Sequence, residues 1–136
     1  MEENQGNLVE WALNRAEQYL SSAKENIQEE RLFVVAEEIF NAIENSLEAI
    51  LYTQGIKEIS FQGKEKTLTG RMALQFLIEQ NLVNKKIISG ADYRTYLAYA
   101  DQLHKAGYSY GTFKESKLKQ AISFAEDLFY LAQSMK

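Results

Sequence analysis

Apolar residues in the first third of the chain recur at steps of three and four. One run is Leu8, Trp11, Ala12, Ala16, Tyr19, Ala23 and Ile27; a second is Leu32, Ala36, Ile39, Phe40, Ile43, Leu47, Ile50 and Leu51. That spacing places each run on one face of an α-helix and is incompatible with the two-residue alternation of a strand. The runs are not continuous: Ile27 to Leu32 is a step of five, which rotates the apolar face by about 140° at 3.6 residues per turn. A break over residues 28–31 lets both runs face one core. The sequence therefore predicts an antiparallel helical hairpin with arms about 30 Å long.

The remainder points the same way. The 136 residues contain no proline, where average usage would give about seven, so few rigid turns interrupt the chain. Gly55 stands where a helix C-cap belongs, ahead of the polar stretch IKEISFQGKEK. A shorter helix is expected over residues 69–80, burying Met72, Ala73, Phe76 and Leu77. Ser89-Gly-Ala-Asp92 reads as a capping box for a helix over 91–106, and Gly107 and Gly111 would end it. Thr112-Phe-Lys-Glu115 is a second box, opening the stripe Leu118, Ala121, Ile122, Ala125, Leu128, Phe129 and Ala132. The expected fold is all-α, an up-and-down bundle of four to five helices in a single domain over residues 1–136.

Composition removes several chemistries. With no cysteine there is no thiolate catalysis and no disulfide. One histidine excludes any two-histidine metal site within the chain, and neither a metal nor a cofactor is expected. No apolar run exceeds five residues, far short of the ~20 of a membrane span. The acidic start MEENQGNLVE lacks the pattern of a secretory signal, so the expected location is the cytoplasm, away from membranes.

The formal net charge of −4 hides two unlike parts. Residues 1–54 hold three basic and eleven acidic side chains, a net of −8, and residues 55–136 hold twelve and eight, a net of +4. The simpler reading is an acidic hairpin packed against a basic partner within the bundle; the sharper one is a phosphate-holding face around Lys64, Lys66 and Arg71. The acids Glu37, Glu38, Glu44 and Glu48 read as a solvated face, because Glu37 and Glu48 fall on the polar side of their stripe.

Five of the eight tyrosines lie between Tyr93 and Tyr110, together with the single histidine. On a helix, Tyr93, Tyr96, Leu97, Ala100, Leu103 and His104 share one face, so His104 points inward or into an interface. A hydrogen-bonded core histidine is the simpler reading. The alternative is a cleft lined by His104, Tyr108, Tyr110 and Tyr96 that holds a base or nucleotide by stacking and hydrogen bonding. Arg94 and His104 sit ten residues apart, about 15 Å along a helix, and cannot form a catalytic pair in one subunit. The chain has no GxGxxG or GxxxxGK phosphate loop.

The segments AEEIFNAIENSLEAILYTQG and ADQLHKAGYSYGTFKESKLKQAISFAEDLFYLAQSM, separated by an irregular stretch, resemble the HEPN superfamily of small helical domains. The nearest likeness is to the uncharacterised HEPN-like proteins of thermophilic archaea. The features carrying it are Ala36, Phe40 and Ala42 in the second helix and Leu103, His104 and Tyr108 at the end of the fourth. The resemblance implies a homodimeric bundle, in many members a metal-independent RNase of toxin-antitoxin or defence systems, often partnered by a nucleotidyltransferase. The catalytic pattern of those members is Arg, four to six residues, then His. Here His104 stands at the place of the Arg, and Tyr108 or Tyr110 at that of the His, so no catalytic residue carries over. The expected function is a non-catalytic binding or adaptor domain, a homodimer whose ligand is a nucleotide, RNA or a partner protein. A divergent RNase and a ligand-free interaction module are the alternatives.

Overall fold

The computed structural model describes residues 3–106 and 114–136, with side chains for 4–103 and 114–136. Its elements in chain order are helices α1 (Glu3–Gln28) and α2 (Leu32–Thr53), strands β1 (Ser60–Gln62) and β2 (Thr67–Thr69), and helices α3 (Gly70–Ile78), α4 (Gly90–Ala106) and α5 (Glu115–Met135). A π turn, Glu79–Val83, extends α3. The all-α bundle holds, with a two-stranded hairpin added. No helix of the described residues is long and apolar enough to cross a membrane.

The first break falls where the change of phase requires it. Helix α1 ends in a Schellman motif, with the Arg31 N–H bonded to the Asn26 carbonyl at 2.7 Å and the Glu30 N–H to the Ile27 carbonyl at 3.1 Å. Glu30 takes the left-handed conformation, φ 59°. Helix α2 ends in the same motif, Ile56 N–H to Leu51 and Gly55 N–H to Tyr52. Here the left-handed position is held by Gly55, φ 88°, which has no Cβ to strain.

Helix α2 is the central element: Val35, Ala36, Ile39, Phe40, Ile43, Leu47, Ile50 and Leu51 are all buried. Helices α1 and α5 pack on it, α4 covers another side, and α3 touches it near Phe40 and Glu44. Lys24–Glu126 and Lys136–Glu10 pair α1 with α5 in antiparallel order. Lys136–Glu10 and Arg71–Glu44 each join the acidic hairpin to the basic part of the chain.

The stretch expected to be irregular contains a β-hairpin with Phe61 opposite Leu68. Its turn is closed by Gly63 N–H to the Lys66 carbonyl at 2.8 Å. A Cβ at Gly63 would lie 3.0 Å from that same oxygen. Helix α3 corrects the expected burial. Ala73, Leu74, Leu77 and Ile78 are inside, whereas Met72 is 65% and Phe76 43% exposed. The helix is turned by about one residue, 100°, from the expected face. Its sequence carries overlapping four-residue pairs, 72/76, 73/77 and 74/78, and only packing chooses among them. On α4, the Asp92 N–H bonds the Ser89 hydroxyl at 3.0 Å, the capping contact expected there. Helix α5 begins after Lys114 with no side-chain cap among the described residues, and Thr112 lies outside them.

Candidate functional site

Polar residues recur along α2 at Glu38, Asn41, Asn45 and Glu48, a second periodic stripe in an otherwise apolar helix. Glu37 and Glu44 flank it. The expected solvated acidic face is corrected here, because Glu37, Glu38, Glu44 and Glu48 are all partly buried. Three of the four have structural surroundings that explain it.

Glu44 is the hub of the central cluster. Its Oε2 accepts the Tyr96 hydroxyl at 2.8 Å and the Arg71 Nε–H at 3.2 Å. The Arg71 guanidinium also lies 4.5 Å from the centre of the Phe40 ring, a cation–π contact. Phe40 and Tyr96 stack at 6.5 Å with an interplanar angle of 10°. Burial, and then the Glu44 charge, push the Tyr96 phenol well above its ordinary range, so it remains a neutral donor. Tyr96, expected to line a cleft, is 0% exposed and belongs to the core. Arg71, expected to face phosphate, is drawn to Glu44 because the turned α3 carries it over α2.

One helical turn on, burial foremost, reinforced by Glu44 and opposed by Arg15, raises the Glu48 carboxyl to about 7. Arg15 donates from Nε to the Asn45 side-chain oxygen at 3.1 Å and lies 4.9 Å from the Trp11 ring centre. Further along the same seam, Glu38 accepts from the Ser22 hydroxyl and from the Asn26 amide. Between these two groups opens a cleft of about 320 Å³ lined by Arg15, Gln18, Tyr19, Ser22 and Glu38. The i, i+3, i+4 recurrence of polar residues on α2 is the sequence signal that could have found this seam.

The hairpin and α3 form a different surface. Phe61 and Phe76 stack at 4.2 Å, leaving Phe76 and Met72 exposed. Lys64 and Lys66 are exposed in the adjoining turn. This surface offers aromatic faces and cations together.

No family model and no curated protein matches the chain. A functional reading rests on the geometry. The sequence-predicted cleft is only partly placed: His104 is in the last turn of α4, with its side chain outside the described residues, and Tyr108 and Tyr110 also lie outside them. Among the described residues no group of three or more His, Asp and Glu could hold a metal ion.

Proposed function

We propose that the chain is a non-catalytic, HEPN-like binding domain that works as a homodimer and takes single-stranded RNA on the face made by the β1–β2 hairpin and α3. The observation that carries this reading is the stacked Phe61–Phe76 pair beside the hairpin turn bearing Lys64 and Lys66. Single-stranded nucleic acid is held by such a combination, with bases stacking on aromatic rings and phosphates meeting cations. The net charge of +4 over residues 55–136 favours the same ligand. The Tyr96–Glu44–Arg71 cluster supports the non-catalytic part, since its groups are engaged with one another, Tyr96 from the core and Arg71 from the surface.

The test is fluorescence anisotropy with a short labelled single-stranded RNA at low salt, without added metal. Binding without shortening of the RNA is expected. Phe61→Ala and Phe76→Ala should each weaken it by about tenfold, within the ~1–3 kcal/mol that stacking contributes per base. Lys64→Ala and Lys66→Ala should each reduce the salt slope by about 0.7. No binding at low salt refutes the ligand; metal-free cleavage that disappears in His104→Ala refutes the non-catalytic reading.

A further inference from the structure

Two carboxylates and two arginines meet along the polar stripe of α2, and they are unequally matched. Glu44 and Glu48 stand one helical turn apart. Arg71 of α3 bonds Glu44, which also accepts the Tyr96 hydroxyl. Arg15 of α1 bonds the Asn45 amide oxygen instead, and Glu48 makes no hydrogen bond or ion pair among the described residues.

The register of the hairpin nevertheless carries Arg15 past Glu48. The 3.1 Å bond sets Arg15 level with Asn45, and the Ser22–Glu38 contact repeats the same antiparallel register seven residues on. Trp11 is therefore level with Ala49, and Glu48 lies between the two levels. The Arg15 side chain runs back along α1 toward Trp11, with its guanidinium 4.9 Å from the ring centre, so the cation spans the part of the seam that faces Glu48.

The charges that act on Glu48 are those of Glu44 and Arg15. Arg71 is held by Glu44, and Glu10 of α1 is turned to Lys136 of α5. Tyr52, one turn on, and Tyr96, from α4, are phenols whose burial favours the neutral form. While Glu48 is protonated, Arg15 has no free anion to meet, and Asn45, only 6% exposed, keeps its donor. Once Glu48 is ionised, a contact in which both partners are charged outweighs a bond to a neutral amide.

We infer that Glu48 and Arg15 form a proton-operated switch in the α1–α2 seam: release of the Glu48 proton to solvent draws the Arg15 guanidinium from Asn45 and Trp11 onto the Glu48 carboxylate. Arg15 is also a wall of the cleft of about 320 Å³ that runs to Glu38, so the switch reshapes that cleft. The inference is independent of the RNA face and of the homodimer.

Trp11 is the single tryptophan of the chain, so its emission reads the departure of the guanidinium. Between pH 5 and 9 the folded wild type should show a one-proton transition with its midpoint near 7. Glu48→Gln should abolish the transition and hold the emission at its low-pH value. Arg15→Met, which leaves Glu48 able to titrate, should remove most of the amplitude. Far-ultraviolet circular dichroism at each pH confirms that the proteins stay folded. Should a variant fail to fold, the Arg15 Nε–H resonance of the wild type gives the same answer by shifting with the same midpoint. A flat wild-type emission, an unmoved Arg15 resonance, a transition that persists in Glu48→Gln and so belongs to another group such as His104, or full amplitude in Arg15→Met would each overturn the switch.

Discussion

The Tyr96 hydroxyl, buried at the centre of α4, donates a 2.8 Å hydrogen bond to Glu44, fifty-two residues earlier on α2. It joins two helices that no local signal connects, and with Arg71 it ties α3 into the same point. A carboxylate so placed has its lone pairs directed at named donors. Removing one leaves a partly buried acceptor short of a partner.

Tyr96→Phe keeps the ring against Phe40 and deletes only the hydroxyl. Loss of a hydrogen bond to a charged group should destabilise the fold by about 1.5–3 kcal/mol. Chemical denaturation with an unchanged m-value is the measurement; a loss below about 0.5 kcal/mol would mean that Glu44 is served as well by water.

Glu48 gives stability a pH dependence of definite sign. Burial raises its carboxyl to about 7 in the folded chain, against an ordinary 4.5, so between these values the folded state holds more proton than the unfolded one. Stability from this group is fully present below pH 4.5 and is lost as pH rises through 7. Glu48→Gln should flatten that part of the curve and raise stability at pH 8 by roughly 1–3 kcal/mol. Denaturation midpoints from pH 5 to 8 check it, and parallel curves for the two proteins would refute it.

Two helix ends share one geometry with different residues in the left-handed position. Glu30 and Gly55 have φ of 59° and 88°. Glu30→Gly should therefore stabilise by about 1 kcal/mol, and Gly55→Ala should destabilise by about as much, although a Cβ there meets nothing within 4 Å. Opposite shifts in melting temperature are expected; equal ones would contradict the backbone argument.

Ser46 is 0% exposed on α2 and its hydroxyl has no hydrogen-bond partner among the described residues. Ser46→Ala removes the buried polar atom at little loss of volume. A gain of about 1 kcal/mol is expected from equilibrium denaturation, and a loss would show that the hydroxyl has a bound partner in solution.

The hairpin of helices, the break over 28–31 and the Gly55 cap were legible because each depends on residues within a turn of one another. Leu118 to Ala132 was legible for the same reason: an isolated stripe at helical spacing has one way to face a core, and all seven of its residues are buried. The β-hairpin was not, since three-residue strands give too few alternations to stand out from a polar loop. Nor was the outward turn of Met72 and Phe76, because α3 offers more than one apolar face.

The candidate sites divide along the same line. Lys64 and Lys66 could be named from the sequence as exposed cations, but the Phe61–Phe76 stack beside them requires the hairpin to fold onto α3. Glu38, Glu44 and Glu48 read as surface acids until the seam with α1 and the crossing of α3 and α4 were in place.

By itself, then, the sequence determined roughly where the helices lie and, for helices with a single apolar stripe such as α2 and α5, which face turns inward, since hydrogen bonds and steric limits between residues three to five apart settle those. Only the tertiary structure decided that Tyr96 and Arg71 meet at Glu44, that α3 shows its aromatic side to solvent, and that Arg15 and Glu38 sit at opposite ends of one open seam. Those relationships depend on the rotation of each helix about its own axis, and that rotation is set by how the whole core closes around α2.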